Sequence, residues 1–322
     1  MKLDLKTGKV ALFFTTRNCY QLFEGIFFEN TTQDFSNYYI FNLDLKSTRE
    51  QMADRDRISE RYGIINIPTP EDDPNLYSVE RNLELCNEFI EENELDVDWI
   101  LWCSHDGSLE GDQFLQELEK KIQDNPRFEN EVGVIGFCDI NTIEMGKPCY
   151  GKGSLVEGCG VKERGEGWYQ NLPPSYEGAD YFIVEGAHDN MVAVNRHLYK
   201  KYITPDYNFV LFLVWDDISG MFGLNNIASI TIPSLKVIDW YREKPRFGLK
   251  RSLDADPSTH IDQYRGNDSS FIKFWLDKWK WSLNSPSARR DFEKVKHLYT
   301  DTIHEKLFSW SLDDGPKTLE DL

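Results

Sequence analysis

The sequence predicts an α/β fold in which a mainly parallel central sheet is flanked by helices, with a helical extension at the C-terminus. Short apolar segments alternate with amphipathic helices through the first half of the chain, which is typical of a parallel sheet covered on both faces. The second half mixes strands with irregular segments and ends in an aromatic-rich region. The 322 residues, 40% of them hydrophobic, suffice for one large domain plus such an extension.

Each strand is predicted from a short apolar run that ends in polar residues or in proline. Pro233 is expected to end the last of these strands. By this criterion the strands cover residues 10–14, 38–44, 63–68, 99–103, 132–137, 192–194 and 227–232.

Helices are predicted where apolar side chains recur every three or four residues. This spacing indicates helices over 78–94 and 109–122, and an aromatic-rich helix from residue 270 onward. The stretch 141–176 is rich in glycine and proline and has little periodicity, which inside a domain often indicates a functional loop. The acidic tail from Asp313 is expected to fray.

Composition and charge restrict the compartment and the partners. The formal net charge of −19 disfavours binding to nucleic acid or to an anionic membrane surface. No apolar run approaches the roughly 20 residues of a membrane span, and the charged N-terminus does not resemble a signal peptide. The six cysteines are scattered without CxxC spacing, so we expect reduced thiols and a cytoplasmic protein.

Two acidic clusters follow apolar segments. Ser104, His105 and Asp106 come directly after the strand 99–103, and a strand end that delivers a carboxylate to a loop is where open α/β sheets place ligands and metals. Asp216 and Asp217 form the second cluster. The competing interpretation of both clusters is structural, since acids also cap helices and stabilise their first turns.

Over roughly residues 8–275 these segments resemble glycosyltransferases of the GT-A fold and are similar to family two. Such enzymes carry an Asp-x-Asp motif after an apolar strand, and its last carboxylate binds a divalent cation. Here Ser104 replaces the first Asp of that motif and Asp106 supplies the last. Asp239 stands where these enzymes often have a metal-binding His. The resemblance therefore implies Mn²⁺ or Mg²⁺ held by Asp106 and Asp239, which are oxygen ligands suited to these ions.

The resemblance also implies a donor site and a general base. Asp217 is favoured as the base that deprotonates the acceptor hydroxyl, with Asp216 as the alternative, because neighbouring residues of a helical turn point in different directions. Arg242 and Lys244 lie in the densest basic patch of the sequence and suit a diphosphate. The other implied donor-binding residues are Thr15, Thr16, Arg17, Asp44, Arg81, Asn82, Ser104, His105 and Gly186.

The implied activity is metal-dependent transfer of a sugar from a nucleoside diphosphate sugar, most plausibly a UDP-sugar such as UDP-glucose, to an acceptor hydroxyl of a glycan or another molecule. Inversion at the anomeric carbon follows from the resemblance to family two. The catalytic domain would cover 1–265, with its nucleotide-sugar half at about 1–140 and its acceptor half at 141–265. Residues 266–322 would form the C-terminal aromatic-rich helical segment and acidic tail.

Two alternatives stay open at this point. One is a catalytically degenerate module of the same fold that binds a glycan or a partner, which the serine at position 104 favours. The other is a sugar nucleotidyltransferase. Those enzymes usually carry a glycine-rich basic loop after the first strand, and the segment 15–18 contains no glycine.

Overall fold

The computed structural model describes residues 4–141, 147–161, 167–169, 172–188, 190–209, 213–240, 268–282 and 287–322. A ten-stranded mixed sheet lies at the centre of these ranges, and a separate two-stranded sheet joins β8 to β9. The strands are β1 (Val10–Thr16), β2 (Tyr39–Asp44), β3 (Ile65–Ile67), β4 (Trp99–Cys103), β5 (Gly107–Leu109), β6 (Val132–Asn141), β7 (Lys147–Cys149), β8 (Gly160–Val161), β9 (Gly167–Trp168), β10 (Phe182–Val184), β11 (Met191–Asn195) and β12 (Ala228–Asp239).

The strand order in the large sheet is β10-β12-β6-β11-β4-β1-β2-β3, with β5 paired to β12 and β7 paired to β6. Neighbours among β1, β2, β3 and β4 pair in parallel, as do β6 and β12. β11 runs antiparallel between β4 and β6 and joins the two parallel groups. The predicted fold class, a mainly parallel sheet flanked by helices, is confirmed.

Helices pack on the sheet, and the C-terminal segment adds more of them. The residues of β1 and β4 are buried along nearly their whole length, as expected for strands covered on both faces. The α-helices are α1 (Tyr20–Phe23), α2 (Arg49–Tyr62), α3 (Val79–Glu92), α4 (Phe114–Asp124), α5 (Phe128–Glu131), α6 (Pro174–Glu177), α7 (Arg196–Tyr202), α8 (Val214–Leu224), α9 (Asp268–Trp279), α10 (Ala288–Val295) and α11 (Ile303–Ser309).

Two predicted boundaries are wrong. The strand expected to end at Pro233 continues as β12 to Asp239. The pairing register between β12 and β6 shifts after Ile232, so the proline lies in an irregularity where no ladder N–H is required. The helix expected over 109–122 begins only at Phe114, because Gly107–Leu109 instead pairs with the end of β12.

The acidic tail is ordered, contrary to the expectation of fraying. Short 3₁₀ turns with capping boxes begin after Ser311 and Thr318, and each satisfies backbone N–H groups of its own turn. Leu319 is buried, and the N–H of Ile183 donates to the carbonyl of Lys317 at 2.8 Å. Packing against the sheet therefore outweighs the charge of the tail.

All six cysteines lie in described ranges, and none of them forms a disulfide. Five are buried, and Cys159 is partly exposed. Among the helices that the structure describes, none is both long and apolar enough to cross a bilayer.

Candidate functional site

The carboxyl ends of parallel strands meet at one edge of a sheet, and this edge is where open α/β folds bind ligands. The chain moves outward from β1 to β2 and β3, then returns to place β4 on the other side of β1. Thr16 ends β1, Asp44 ends β2, and the loop that begins at Ser104 follows β4. The topology thus brings several of the predicted site residues to the same edge.

A buried hydrogen-bond network links the ends of β1 and β2. Tyr20 donates its hydroxyl to Asp44 Oδ2 at 2.5 Å, and the hydroxyl of Thr16 lies 2.8 Å from the Tyr20 oxygen and 2.9 Å from Asn42 Oδ1. Burial and the neighbouring Asp44 carboxylate raise the pKa of Tyr20 well above its usual range, so the phenol remains protonated. The other Asp44 oxygen accepts the N–H of Ser47 at 2.8 Å. Sequence reasoning found Thr16 and Asp44 but missed Tyr20 and Asn42, which carry no motif signal.

Asp44 also borders a cavity of about 590 Å³ at the ends of β2 and β3. The Asp44 carbonyl accepts the hydroxyl proton of Thr69, another residue of the cavity lining, at 2.7 Å. Lys46 and Arg55 contribute positive charge to this lining.

Thr15, another predicted donor-binding residue, is a half-buried residue of β1 that pairs in register with Leu43.

Two of the arginines predicted for the donor site, Arg17 and Arg81, have different surroundings. The guanidinium of Arg17 lies over the ring of Tyr77, 5.2 Å from its centroid. Arg81 of α3 forms ion pairs with Asp73, which precedes the helix, at 2.7 Å, and with Glu88 at 3.0 Å and Glu84 at 3.3 Å on the helix itself. The described ion pairs of Arg81 are therefore with carboxylates of the protein itself. Asn82, the next residue, is buried in the first turn of the same helix, where its N–H donates to the carbonyl of Ser78 at 3.1 Å.

The candidate metal ligands lie on adjoining backbone segments. Gly107 pairs with Asp239 in the β5–β12 register, and the N–H of Trp240 donates to the carbonyl of Asp106 at 3.0 Å. Ser104 donates its hydroxyl to Asp106 Oδ1, a bond that an aspartate at position 104 could not make. Ser104 thus orients the remaining carboxylate of the motif, that of Asp106. His105, between these two residues in the sequence, is partly exposed.

Within the described ranges, no group of three or more His, Cys, Asp or Glu side chains is arranged to hold a metal ion. Two carboxylates nonetheless fit Mg²⁺ or Mn²⁺, since such ions are commonly held by one or two carboxylates together with substrate phosphates and water. Arg242 and Lys244, predicted to assist the diphosphate, lie outside the described residues.

Asp216 and Asp217 lie in the first turn of α8 and face different surroundings, as expected for neighbours in a helix. Asp216 Oδ2 is 3.2 Å from the ammonium of Lys152, and both side chains are buried. A Cβ atom on Gly186 would lie 3.2 Å from Asp216 Oδ1, so the carboxylate rests directly against this glycine. Lys152 and Gly186 exchange backbone hydrogen bonds of 2.8 and 3.1 Å. These three residues form one unit, which we call the Asp216 cluster.

Asp217 is fully buried against the C-terminal segment. Its Oδ2 lies 2.6 Å from Lys278 Nζ, and its Oδ1 accepts the indole N–H of Trp279 at 2.7 Å. Burial raises the pKa of Asp217 to about 6, an effect that the Lys278 ammonium partly opposes.

A buried acid anchors the loop that carries Lys152. Glu185 accepts backbone N–H groups from Ser154 at 2.7 Å and Leu155 at 2.8 Å. Burial raises the pKa of Glu185 to about 7 despite these bonds. Neither Lys152 nor Glu185 was found from the sequence, because the former lies in the irregular stretch and the latter reads as an ordinary strand-end acid.

The segment that follows Gly186 runs toward the loop after β4. His188 Nδ1 lies 2.6 Å from Asp139 Oδ2 near the end of β6. The carbonyl of Asn190 then accepts the N–H of Ser104 at 3.0 Å. Gly186 and Asn190 are four positions apart, so one short segment contacts the Asp216 cluster at one end and the Ser104–Asp106 loop at the other.

The mainly parallel central sheet flanked by helices matches the GT-A fold, and comparison with a solved structure confirms the predicted fold resemblance. The chain is similar to GalNAc-T7 solved with UDP, GalNAc and Mn²⁺, at 9% identity and a TM-score of 0.50, covering 92% of this chain and 59% of that one. The chain therefore spans about three fifths of the length of that protein. No protein-family model matches the sequence, and no curated protein sequence matches it.

Two further structures share weaker similarity. One is the mannosyltransferase PcManGT from Pyrobaculum calidifontis in complex with GDP-Man and Mn²⁺, with 10% identity, a TM-score of 0.43 and coverage of 95% of this chain and 86% of that one. The other is S. aureus TarS 1-349 in complex with UDP, with 10% identity, a TM-score of 0.45 and coverage of 83% of this chain and 72% of that one.

Proposed function

We propose that this protein is a metal-dependent glycosyltransferase that moves a sugar from a nucleoside diphosphate sugar to an acceptor hydroxyl. One observation carries the proposal. Gly186 and Asn190, four positions apart, contact Asp216 and Ser104 respectively. A carboxylate suited to proton transfer and a carboxylate loop suited to a diphosphate-bound cation are thereby joined through one segment of a GT-A fold.

Asp106 and Asp239 are the residues that would hold Mn²⁺ or Mg²⁺. A bound cation of this kind neutralises the negative charge of a diphosphate and assists its departure. The side chains of the protein position the ligands of this cation. Ser104 orients the Asp106 carboxylate through its hydroxyl. The carboxylates cannot attract a diphosphate unaided in a chain of net charge −19, so the donor should bind poorly when the cation is removed.

We assign the general base to Asp216 rather than to Asp217. Both oxygens of Asp217 are already bonded to Lys278 and Trp279, and its side chain is fully enclosed. Asp216 instead lies against Gly186, its Oδ2 is 3.2 Å from the Lys152 ammonium, and about 3% of its side chain remains exposed, whereas that of Asp217 has no exposure. Its carboxylate would take the hydroxyl proton as the acceptor oxygen bonds to the anomeric carbon and the bond to the diphosphate breaks. Attack from the face opposite the diphosphate inverts that carbon.

UDP is the proposed donor nucleotide, with UDP-glucose as the first sugar to test. The resemblance to family two supports it, as does the UDP bound in the GalNAc-T7 structure. The Thr16–Tyr20–Asp44 network and its adjoining cavity are the proposed nucleoside side of the site. The absence of disulfides among the six cysteines supports the cytoplasm as the proposed compartment.

The test is a thermal-shift titration with UDP, UDP-glucose, UDP-N-acetylglucosamine and GDP-mannose, each with and without Mn²⁺, followed by a transfer assay that measures released UDP. A ligand at one hundred times its Kd stabilises the native state by about 2.7 kcal/mol. A shift that requires both a UDP compound and the metal, with UDP release in the presence of an acceptor, supports the proposal. Stabilisation by free glycans without any nucleotide effect would instead indicate the binding module, and pyrophosphate release from a nucleoside triphosphate would indicate the nucleotidyltransferase.

A further inference from the structure

The C-terminal segment from Asp268 onward meets the sheet domain at α8, the helix that carries Asp216. We propose that Lys278 and Trp279 of α9 are positioning residues for the transfer reaction. By holding Asp217, they fix the helix that presents Asp216 to the acceptor. This inference rests on the proposed function and makes the C-terminal segment a working part of the site.

The first attachment point is the carboxylate of Asp217. Lys278 Nζ lies 2.6 Å from one oxygen, and Trp279 Nε1 donates to the other at 2.7 Å. Lys278 also lies 3.5 Å from Asp206, which precedes α8. Since the side chain of Asp217 has no solvent exposure, groups from α9 replace the water that this charge would otherwise need.

The second attachment point is Gly220, on the same face of α8 one turn later. A Cβ atom there would lie 2.8 Å from the Trp279 ring, so the indole packs directly on the helix backbone. The Gly220 carbonyl lies 2.9 Å from His304 Nε2 of α11. Burial lowers the pKa of His304 to about 4, so the ring is neutral near pH 7 and Nε2 carries the proton that it donates.

The two faces of the helix are mechanically coupled. Consecutive helical residues point about 100° apart, so Asp217 can be held by α9 while Asp216 faces Gly186 and Lys152. An α-helix moves as a unit over one turn, and release of Asp217 would therefore displace Asp216. A misplacement of about 1 Å at a reacting group can lower the rate about 100-fold.

The test compares Lys278→Met and Trp279→Phe with the unchanged protein. Trp279→Phe removes both the N–H donor to Asp217 and the outer indole atoms that pack on Gly220, so it loosens both attachment points. We expect kcat to fall about 10-fold or more while KM for the nucleotide sugar stays within about twofold, because the donor residues lie elsewhere. Lys278→Arg, which preserves the charge, should recover most of kcat. All assays run well below the melting temperature of each variant.

Lys294→Met is the matched control, because Lys294 pairs with Asp291 at 2.7 Å in the same segment but at an exposed position. Unchanged kcat in both Lys278→Met and Trp279→Phe, or an equal fall in the control, would overturn the inference. Amide hydrogen exchange separates this outcome from failure of the proposed function. If the native protein transfers no sugar, faster exchange of α8 amides in Trp279→Phe, but not in Lys294→Met, still supports the positioning role, and unchanged exchange rejects it.

Discussion

Gly186→Ala is the sharpest probe of the Asp216 cluster, because it adds a single methyl group beside one carboxylate. The added Cβ would lie 3.2 Å from Asp216 Oδ1 and 3.9 Å from the Lys152 Cβ. The first contact is shorter than ordinary van der Waals separation, so the carboxylate must withdraw by a few tenths of an ångström. The backbone at this glycine is not left-handed, so alanine introduces no strain of its own.

Gly186→Ala should lower both the stability of the protein and its rate. Overpacking costs about 1–3 kcal/mol, and the reduced entropy of the unfolded chain returns about 0.4–1 kcal/mol. The net loss of unfolding free energy should be at most about 2.6 kcal/mol. A displaced base adds a loss of rate, since a shift well below 1 Å should still lower kcat by about 10-fold.

The assay measures kcat and KM for the donor together with the melting temperature. Gly178→Ala is the matched control, because its nearest neighbour beyond the adjoining residues would be the Pro174 carbonyl at an ordinary 3.7 Å. If Gly186→Ala turned over as fast as the native protein, the carboxylate of Asp216 could not be the group that takes the acceptor proton.

The remaining predictions concern the acids. Asp216→Asn should keep donor binding by calorimetry and lose about 100-fold or more in kcat. Asp217→Asn should cost about 2 kcal/mol of stability by denaturant titration and lower kcat about 10-fold, as Lys278→Met does, by weakening the bond to Lys278; a larger fall in kcat for Asp217→Asn than for Asp216→Asn would restore Asp217 as the base. Burial raises the pKa of Glu80 to about 8, above its unfolded value, so the folded protein keeps a proton that the unfolded chain loses. Stability should therefore fall as pH rises from about 5 to 8, and Glu80→Gln should flatten this dependence in thermal melts; an unchanged slope would contradict it. Asp106→Asn should abolish the Mn²⁺-dependent part of the rise in melting temperature with UDP. Ser104→Ala should weaken metal affinity about 10-fold, which a Mn²⁺ titration would measure. Full metal affinity in Asp106→Asn would place the ion elsewhere.

Much of the sheet could be predicted because its strands are short apolar runs with polar ends. The parallel strands β1, β2 and β4 occur where the sequence indicated them. Of the two acidic clusters, Ser104–Asp106 directly follows β4, and Asp216 and Asp217 lie in α8. The errors arose where long-range pairing decides the structure. Leu109 fits the helical spacing of 109–122 but pairs with Val237 of β12, and no local pattern indicates that partner.

The site could be predicted only in part, for a different reason. A motif shows which residues are polar, but not which of two neighbouring acids a distant helix will cover. Asp217 was favoured by resemblance, yet the contacts that enclose it come from Lys278 and Trp279, about sixty positions later. Lys152 likewise reaches Asp216 from a stretch without periodicity.

The native cysteines should react slowly with thiol-labelling reagents because nearly all of them are buried. Alkylating reagents react with thiolates, and burial raises the pKa of Cys138 to about 11 and that of Cys103 well above its usual range. Even the partly exposed Cys159 has its pKa raised to about 12. A single cysteine introduced at an exposed position, such as Lys294→Cys on α10, would therefore take up a fluorophore selectively without removal of the native six. Movements of the C-terminal segment during turnover thus become observable by fluorescence in the otherwise native chain.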